Sequence, residues 1–184
     1  MISLGVFFWF MVLLFGIIGS MRGWAKELLV FFSIILSLFV IHVLQEFAPF
    51  VQGLVAGESQ AALFWLRMVI MGALVFFGYQ GPNITKFAAT NKLNREKFQD
   101  SLLGVFLGAI NGYFIFGTFL FYLNESQYSA LSSLISAPDP LTPQGAAALE
   151  LLKALPPTWL LKTGSPFIFF AVAISFAFVL VVFL

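Results

Sequence analysis

Apolar positions along this chain fall into five long runs separated by shorter polar stretches. The runs cover Ile2–Ser20, Leu28–Leu44, Ala61–Tyr79, Asp100–Leu123 and Phe167–Leu184. Each is about as long as an α-helix must be to cross the hydrocarbon core of a bilayer. The pattern therefore predicts an all-α membrane protein with five transmembrane helices, in which residues 1–184 form a single integral membrane domain.

The fourth run carries three glycines at four-residue spacing. Gly104, Gly108 and Gly112 fall on one face of a helix, because four residues are slightly more than one turn. In lipid, a Gly-xxx-Gly stripe lets a second helix approach closely. Asn111 adds a polar amide near mid-membrane, where it needs a partner. We predict that this helix is the packing centre of the protein, either within one chain or between two.

A second group of glycines lies near the end of the first run and could pack against this stripe. They are Gly16, Gly19 and Gly23, and they provide the small residues that a close helix contact requires within the same chain. The alternative is that membrane helices simply tolerate glycine, and the pattern alone leaves both open. Because these residues are available in the same chain, we favour an intramolecular contact over a dimer face.

Polar stretches between the runs differ in length. Ser20–Glu27 is short and predicts a tight hairpin with Gly23 as its permissive residue. Gln45–Gln60 predicts a short loop, and Gln80–Gln99 predicts a loop with a short helix leading into the fourth run. The 124–166 segment contains a short amphipathic helix, for which Thr142 is the predicted cap and Pro143 the first residue.

Its apolar side would lie on the membrane surface. Leu149, Leu152 and Leu155 form that side, Pro156 and Pro157 end the helix, and Trp159 is a predicted interfacial anchor.

Composition supports the membrane assignment. The chain of 184 residues is 61% hydrophobic and only 9% charged, with a mean hydropathy of +1.02, whereas soluble domains are about a quarter charged. A net charge of +1 and no basic face argue against nucleic-acid binding. We expect the partners to be the lipid bilayer and a second copy of the chain or other envelope proteins.

The distribution of Lys and Arg predicts an orientation. Six of these residues lie on one side of the predicted bundle: Arg22, Lys26, Lys86, Lys92, Arg95 and Lys97. Only Lys153 and Lys162 lie on the other side. The first side should be cytoplasmic, which places the N-terminus and the 124–166 segment outside and the C-terminus inside. The first run has no positive segment before it, so we expect it to be retained rather than cleaved.

Arg67 is the one basic residue inside a predicted span. An arginine at that depth is a candidate functional residue. It lies about 9 Å from the nearer end of its helix, so it could equally extend its head group to the interface. The sequence leaves both interpretations open.

Charged residues also gather at the predicted cytoplasmic end. Arg22, Lys26 and Glu27 follow the first span, and Arg95 and Asp100 precede the fourth. They would form a shared ionic cluster if these helices pack together, with Asp100 at the N-terminal end of its own helix, where a carboxylate is favourable. The alternative is that Asp100 is only a cap and that the basic residues only set the topology.

No catalytic pattern is visible. The chain has no cysteine and a single histidine, His42, which has no evident partner and cannot form a usual zinc site. It has neither a nucleophile motif nor a phosphate-binding loop. We therefore expect no catalytic residue, metal or cofactor, and a protein that is not an enzyme.

Three blocks resemble the colicin V production protein family of bacterial inner-membrane proteins. They are GSMRGWAKELLVFFSIILSLFV at Gly19–Val40, DSLLGVFLGAINGYFIF at Asp100–Phe116 and NESQYSALSSLISAP at 124–138. The resemblance covers residues 1–138, and 139–184 add the outer loop and a further span. It implies an inner-membrane location and a role in toxin production or export and in envelope homeostasis. The alternative function is a small channel or transporter component, with Arg67, Asn111 and the ionic cluster at the cytoplasmic end lining a polar route.

Overall fold

Helices make up the architecture of this protein. A computed structural model describes residues 4–57, 59–80, 94–162 and 166–183, and these residues contain no strand. The helices are α1 Leu4–Arg22, α2 Trp24–Phe47, α3 Pro49–Ala56, α4 Gln60–Tyr79, α5 Asn94–Glu125, α6 Pro143–Lys153, α7 Pro156–Leu160 and α8 Phe167–Phe183, with a 3-10 turn at Ser129–Leu131.

Four of these helices are long and apolar enough to cross a membrane: α1, α2, α4 and α5. The prediction of an all-α membrane protein is confirmed. The fifth apolar helix, α8, has 17 residues and is shorter than the four, so its span remains a prediction. It lies beside α2 and runs antiparallel to it, since the ring of Phe169 meets that of Phe39 and the ring of Phe178 meets that of Phe32.

Helix α5 lies in the middle of the bundle and packs against α1, α2 and α4. Along α2, Ile34 and Leu38 are fully buried and meet Phe114 of α5. Nearer the other end of α5, Tyr122 and Leu123 pack with Phe64 of α4. We call the two ends of the bundle the Arg22 end and the Glu125 end, after the charged residues found there.

The bounds of two elements differ from the prediction. Helix α5 begins at Asn94, so Asp100 lies inside the helix and not at its start. Pro49 begins the short helix α3 where we expected a loop, because proline is well suited to the first turn of a helix, whose N–H groups have no partner anyway. Of Gln80–Gln99, predicted to form a loop with a short helix leading into the fourth run, residues 81–93 lie outside the described residues and Asn94 onward is helical.

The chain turns sharply where α5 ends. Gln127 and Tyr128 have positive φ angles of 53° and 60°, and the Tyr128 N–H donates to the Leu123 carbonyl at 2.9 Å. The Tyr128 side chain is buried against Ile41 and Met71. Burial raises the pKa of its hydroxyl above the ordinary value.

The segment after this turn folds back against the bundle. As predicted, Thr142 caps α6, its hydroxyl accepting from the Gly145 N–H at 3.1 Å, and Pro143 is the first residue. Only the predicted end differs, because α6 ends at Lys153 and Pro156 begins α7 as well as following the end of α6. Proline at N1 costs no intrahelical hydrogen bond.

Leu155 therefore lies outside the helix to which we assigned it. It is fully buried, with Phe8 and Leu120 in the same cluster. The Tyr113 hydroxyl donates to the Ala154 carbonyl, and Trp159 meets the ring of Phe114 edge-on at 6.0 Å. The segment thus packs into the bundle beside the middle of α5.

Candidate functional site

Helices α1 and α5 meet glycine to glycine. A Cβ atom placed on Gly19 would collide with the Gly104 carbonyl and lie 2.8 Å from the Gly108 Cα. A Cβ on Gly108 would collide with the Phe15 carbonyl and lie 2.9 Å from the Gly19 Cα. Real Cβ atoms do not sit this close to backbone, so the two helices can approach this far only because these residues lack side chains.

The other three predicted glycines have three different surroundings. At Gly112 a Cβ would come within 2.8 Å of the Phe15 Cβ, so this position belongs to the same contact. At Gly16 the nearest atom would be 3.4 Å away and the Ala109 Cβ 3.6 Å away, which leaves room for a methyl group. Gly23 serves the hairpin instead, since its φ of +84° is one that other residues rarely adopt.

At the Arg22 end, a carboxylate is buried between three helices. Glu27 of α2 is 0% exposed, and Arg22 donates to its Oε1 at 3.0 Å. The Asn111 amide donates to its Oε2 at 2.8 Å and to its main-chain carbonyl at 2.9 Å. The guanidinium of Arg22 also donates to the Tyr79 carbonyl at 3.1 Å and lies 4.2 Å over the Tyr79 ring. We call these four residues the Arg22 layer; it joins α1, α2, α4 and α5.

The predicted ionic cluster is thus only partly brought together. Arg22 and Glu27 pair, whereas Lys26 is exposed, and the side chain of Arg95 lies outside the described residues. The carboxylate of Asp100 accepts from the main-chain N–H of Trp24 at 3.2 Å. Asp100 therefore stabilises the start of α2, because the Trp24 N–H is one of the unpaired donors of a first helical turn. We had predicted that Asp100 would stabilise the start of its own helix, and that prediction is wrong.

At the Glu125 end, Arg67 points into the bundle. Its side chain is 5% exposed and donates to the Glu125 carboxylate through both terminal nitrogens, at 2.8 and 3.5 Å. The guanidinium lies 4.3 Å over the Tyr122 ring. With the Gln45 amide flipped so that its oxygen faces Arg67, the guanidinium also donates to that oxygen. These four residues form the Glu125 layer. The Arg67 head group is thus held inside the protein, by a carboxylate at the last residue of the spanning helix α5.

Both layers use the same chemistry. In each, an arginine pairs with a glutamate and stacks on a tyrosine ring, and a side-chain amide bonds to one member of the ion pair. Sequence reasoning missed Tyr79, Tyr122, Gln45 and Glu125. Tyrosine and glutamine near the ends of spans are usual interfacial residues, so they carried no signal. A basic residue inside a span indicates an acidic partner. Glu125, which ends the next described helix, could have been identified as that partner from the sequence.

Several buried polar atoms have no hydrogen-bond partner among the described residues. They are Asn111 Oδ1, Thr118 Oγ1 and the hydroxyl oxygens of Tyr79 and Tyr122. Asn111, Thr118 and Tyr122 are seven and four residues apart, so they share one face of α5. Between the two layers, however, this face meets an apolar core that includes Ile34 and Leu38.

His42 has a local partner that the sequence analysis did not identify. Its Nε2 lies 3.4 Å from the Glu46 carboxylate one turn later in α2, and its ring meets that of Phe169. Within the part of the chain that the structure describes, no group of three or more His, Cys, Asp or Glu residues could hold a metal ion.

The family profile for colicin V production proteins matches residues 4–136. This chain belongs to the colicin V production protein family. The match confirms the resemblance read from the three sequence blocks, and it covers α1 to α5 and therefore both polar layers of this family member. Helices α6 to α8 follow the matched region. Neither the curated proteins nor the solved structures contain a match to the chain.

Proposed function

We propose that this protein is a non-enzymatic component of the bacterial inner membrane that supports the production or export of a peptide toxin and, more generally, envelope homeostasis. The observation that carries the proposal is the family match over residues 4–136, together with four helices able to span a membrane. The family description names colicin V production, and the membrane location favours the export stage.

The polar residues of the two layers are bonded to one another, and this supports a non-enzymatic role. In the Arg22 layer, Glu27 and Asn111 are both fully buried and bonded to each other. In the Glu125 layer, Arg67 is occupied by Glu125 and stacks on Tyr122. Groups held in this way between helices stabilise an arrangement and are not free to meet a substrate.

The experiment is a deletion in a toxin-producing bacterium, with toxin measured separately in the medium and in the cells. We expect the deletion to lower the toxin in the medium, and the parent gene to restore it. Accumulation of toxin inside the deleted cells would place the defect at export, and a fall in both fractions would place it at production. Unchanged toxin in both fractions would contradict the proposal.

A matched pair of variants relates this effect to the bundle. Gly19→Leu inserts a side chain into the α1–α5 contact, whereas Gly72→Leu adds one where a Cβ meets nothing within 4 Å. We expect only Gly72→Leu to restore toxin release at an equal level of protein in the membrane. Equal restoration by both variants would separate the function from this contact.

We further propose that the N-terminus and the 124–166 segment lie outside the cytoplasm and that the C-terminus lies inside, as the basic residues favour. The chain has no cysteine, so single cysteines can report the topology. A membrane-impermeant maleimide should label Leu134→Cys, which is exposed, when the cytoplasmic membrane is intact. Lys97→Cys, also exposed, should be labelled only after that membrane is opened. The reverse pattern would overturn the orientation.

The partners that we propose are the bilayer and either a second copy or another envelope protein, and not nucleic acid. The exposed surface of the 124–166 segment, with Leu134 and Leu141 on it, is the region from which to seek them. A photo-crosslinker at position 134 in cells should capture a membrane or envelope protein. Capture of lipid alone would contradict a protein partner at this surface.

A second candidate function is a small channel or transporter component. It is favoured by the unpartnered polar atoms of Asn111, Thr118 and Tyr122 on one face of α5, since polar groups inside a membrane bundle mark candidate solute routes. The apolar core between the two layers opposes it. Flux in liposomes that the parent protein catalyses and Arg67→Ala abolishes would support a channel, and absence of flux in the parent would exclude it.

A further inference from the structure

A cavity of about 710 Å³ lies at the Glu125 end, between the end of α5 and the segment that folds back against it. Its lining is mostly apolar and comes from α5, from the turn before α6, from α6 itself and from α7. The lining residues used below are Phe121, Asn124, Ala147, Leu149, Leu152 and the charged pair of α6. This volume falls within the range of small-molecule and cofactor sites, roughly 300–1,000 Å³.

Two opposite charges line the same cavity. The Lys153 ammonium lies 2.6 Å from the Glu150 carboxylate, and both residues line the cavity. Their side chains are 70% and 72% exposed, respectively, so a ligand can reach both. Together they carry no net charge, and a ligand that complements them carries one positive and one negative group close together.

The cavity also lies at a defined level of the bundle. Phe121 belongs to the membrane-spanning part of α5, whereas Asn124 lies at its polar end, one residue before Glu125. We therefore place the cavity at the level where α5 leaves the hydrocarbon and enters the headgroup region of a bilayer. Leu149 and Leu152 provide apolar walls beside the charged pair.

We propose that this cavity binds a phospholipid with an ethanolamine headgroup. The lipid ammonium donates hydrogen bonds to Glu150, the lipid phosphate accepts from Lys153, and an acyl chain lies along Leu149, Leu152 and Phe121. An anionic headgroup without an ammonium would leave Glu150 facing a like charge. A choline headgroup carries the same charges but has no N–H to donate. The proposal goes beyond the proposed function and does not depend on it.

The test is native mass spectrometry of the full-length protein, purified in detergent and given equal amounts of phosphatidylethanolamine, phosphatidylcholine and phosphatidylglycerol with identical acyl chains. Exposed charged contacts contribute about 0.2–1 kcal/mol each, so we expect the ethanolamine lipid to be retained in roughly 1.4- to fivefold excess. The double variant Glu150→Gln/Lys153→Met should lose this preference. Lys162→Met, which removes an exposed lysine of the same segment that does not line the cavity, should keep it.

A second variant fills the cavity and leaves the charges in place. Ala147 is exposed and lines the cavity, so Ala147→Trp should lower retention of the ethanolamine lipid to the level of the other two without unfolding the bundle. Equal retention of the three lipids by the parent would overturn the proposal. So would loss of the preference in Lys162→Met, retention of it in the double variant or in Ala147→Trp, or recovery of a peptide instead of lipid with the purified protein.

Discussion

Asn111 of α5 donates to Glu27 of α2 twice, to the carboxylate at 2.8 Å and to the main-chain carbonyl at 2.9 Å. Both side chains are fully buried. The remaining carboxylate oxygen of Glu27 accepts from Arg22, so the charge is shared between an arginine and an amide. A buried carboxylate is tolerated only when it is bonded in this way.

Replacing Asn111 with Leu should therefore destabilise the protein. The change removes two hydrogen bonds, one of them to a charged group, and leaves one oxygen of a buried carboxylate without its donor, at a cost of about 1–3 kcal/mol. Thermal unfolding in detergent measures this loss. Gln99→Leu is the matched control, because Gln99 is an exposed amide on the same helix; similar losses for both variants would contradict the role assigned to Asn111.

Glu27→Gln tests the Arg22 layer by changing the acceptor of these hydrogen bonds instead of a donor. It deprives Arg22, which is largely buried, of its carboxylate, and removal of one partner of a buried pair is costly. Because Glu27 and Asn111 share one network, the loss in the double variant should be smaller than the sum of the two single losses. Additive losses would indicate that the two residues act independently.

The glycines of the α1–α5 contact should differ in their tolerance of alanine. Gly19→Ala and Gly104→Ala place a methyl group against backbone and should each cost about 1–3 kcal/mol by overpacking. Gly16→Ala has room for the methyl group, and Gly72→Ala meets nothing within 4 Å, so neither should lower the unfolding temperature. A loss at all four positions would mean that helix composition, and not this contact, determines stability.

Arg67→Lys should weaken the Glu125 layer although it keeps the charge. Lysine cannot form the two-pronged bond to Glu125 or stack its head group flat on Tyr122. We expect a lower unfolding temperature than in the parent, and a larger fall for Arg67→Met. A lysine variant as stable as the parent would show that charge alone suffices at this position.

Asp100→Ala should destabilise the first hairpin. The change removes the acceptor for the Trp24 N–H, and loss of such an acceptor at a helix start costs about 0.5–2 kcal/mol. Asp100→Asn keeps an acceptor and should lose less. Hydrogen exchange of the first turn of α2 measures the effect locally, and unchanged exchange there in Asp100→Ala would exclude this role.

The helical architecture could be predicted from the sequence because it depends on local properties. Run length and hydropathy determine where a helix can cross a bilayer, and glycine spacing marks where one helix can approach another. For that reason Gly19, Gly104 and Gly108 were identified before their contact was known. The tight hairpin at Gly23 and the cap at Thr142 follow from equally local chemistry.

The polar layers could not be predicted to the same extent because their members are far apart in the chain. Glu27 and Asn111 are separated by 84 positions, and nothing in one stretch indicates the other. Asp100 looked like a cap of its own helix, since only the fold brings it to the start of α2. Pro156 and Pro157 were interpreted as helix breakers, although proline begins helices as readily as it ends them.

Helix α1 of the same chain fills the glycine stripe of α5, and the whole bundle is arranged around this contact. The most direct test of this contact is the cysteine pair Gly16→Cys/Ala109→Cys, because a Cβ on Gly16 would lie 3.6 Å from the Ala109 Cβ, within the range that a disulfide requires. The chain has no other cysteine. Mild oxidation in membranes should give an intramolecular disulfide in nearly every monomer, whereas the pair Gly16→Cys/Phe106→Cys, with position 106 exposed, should give none. Disulfide-linked dimers, or no disulfide in the first pair, would contradict this intramolecular contact.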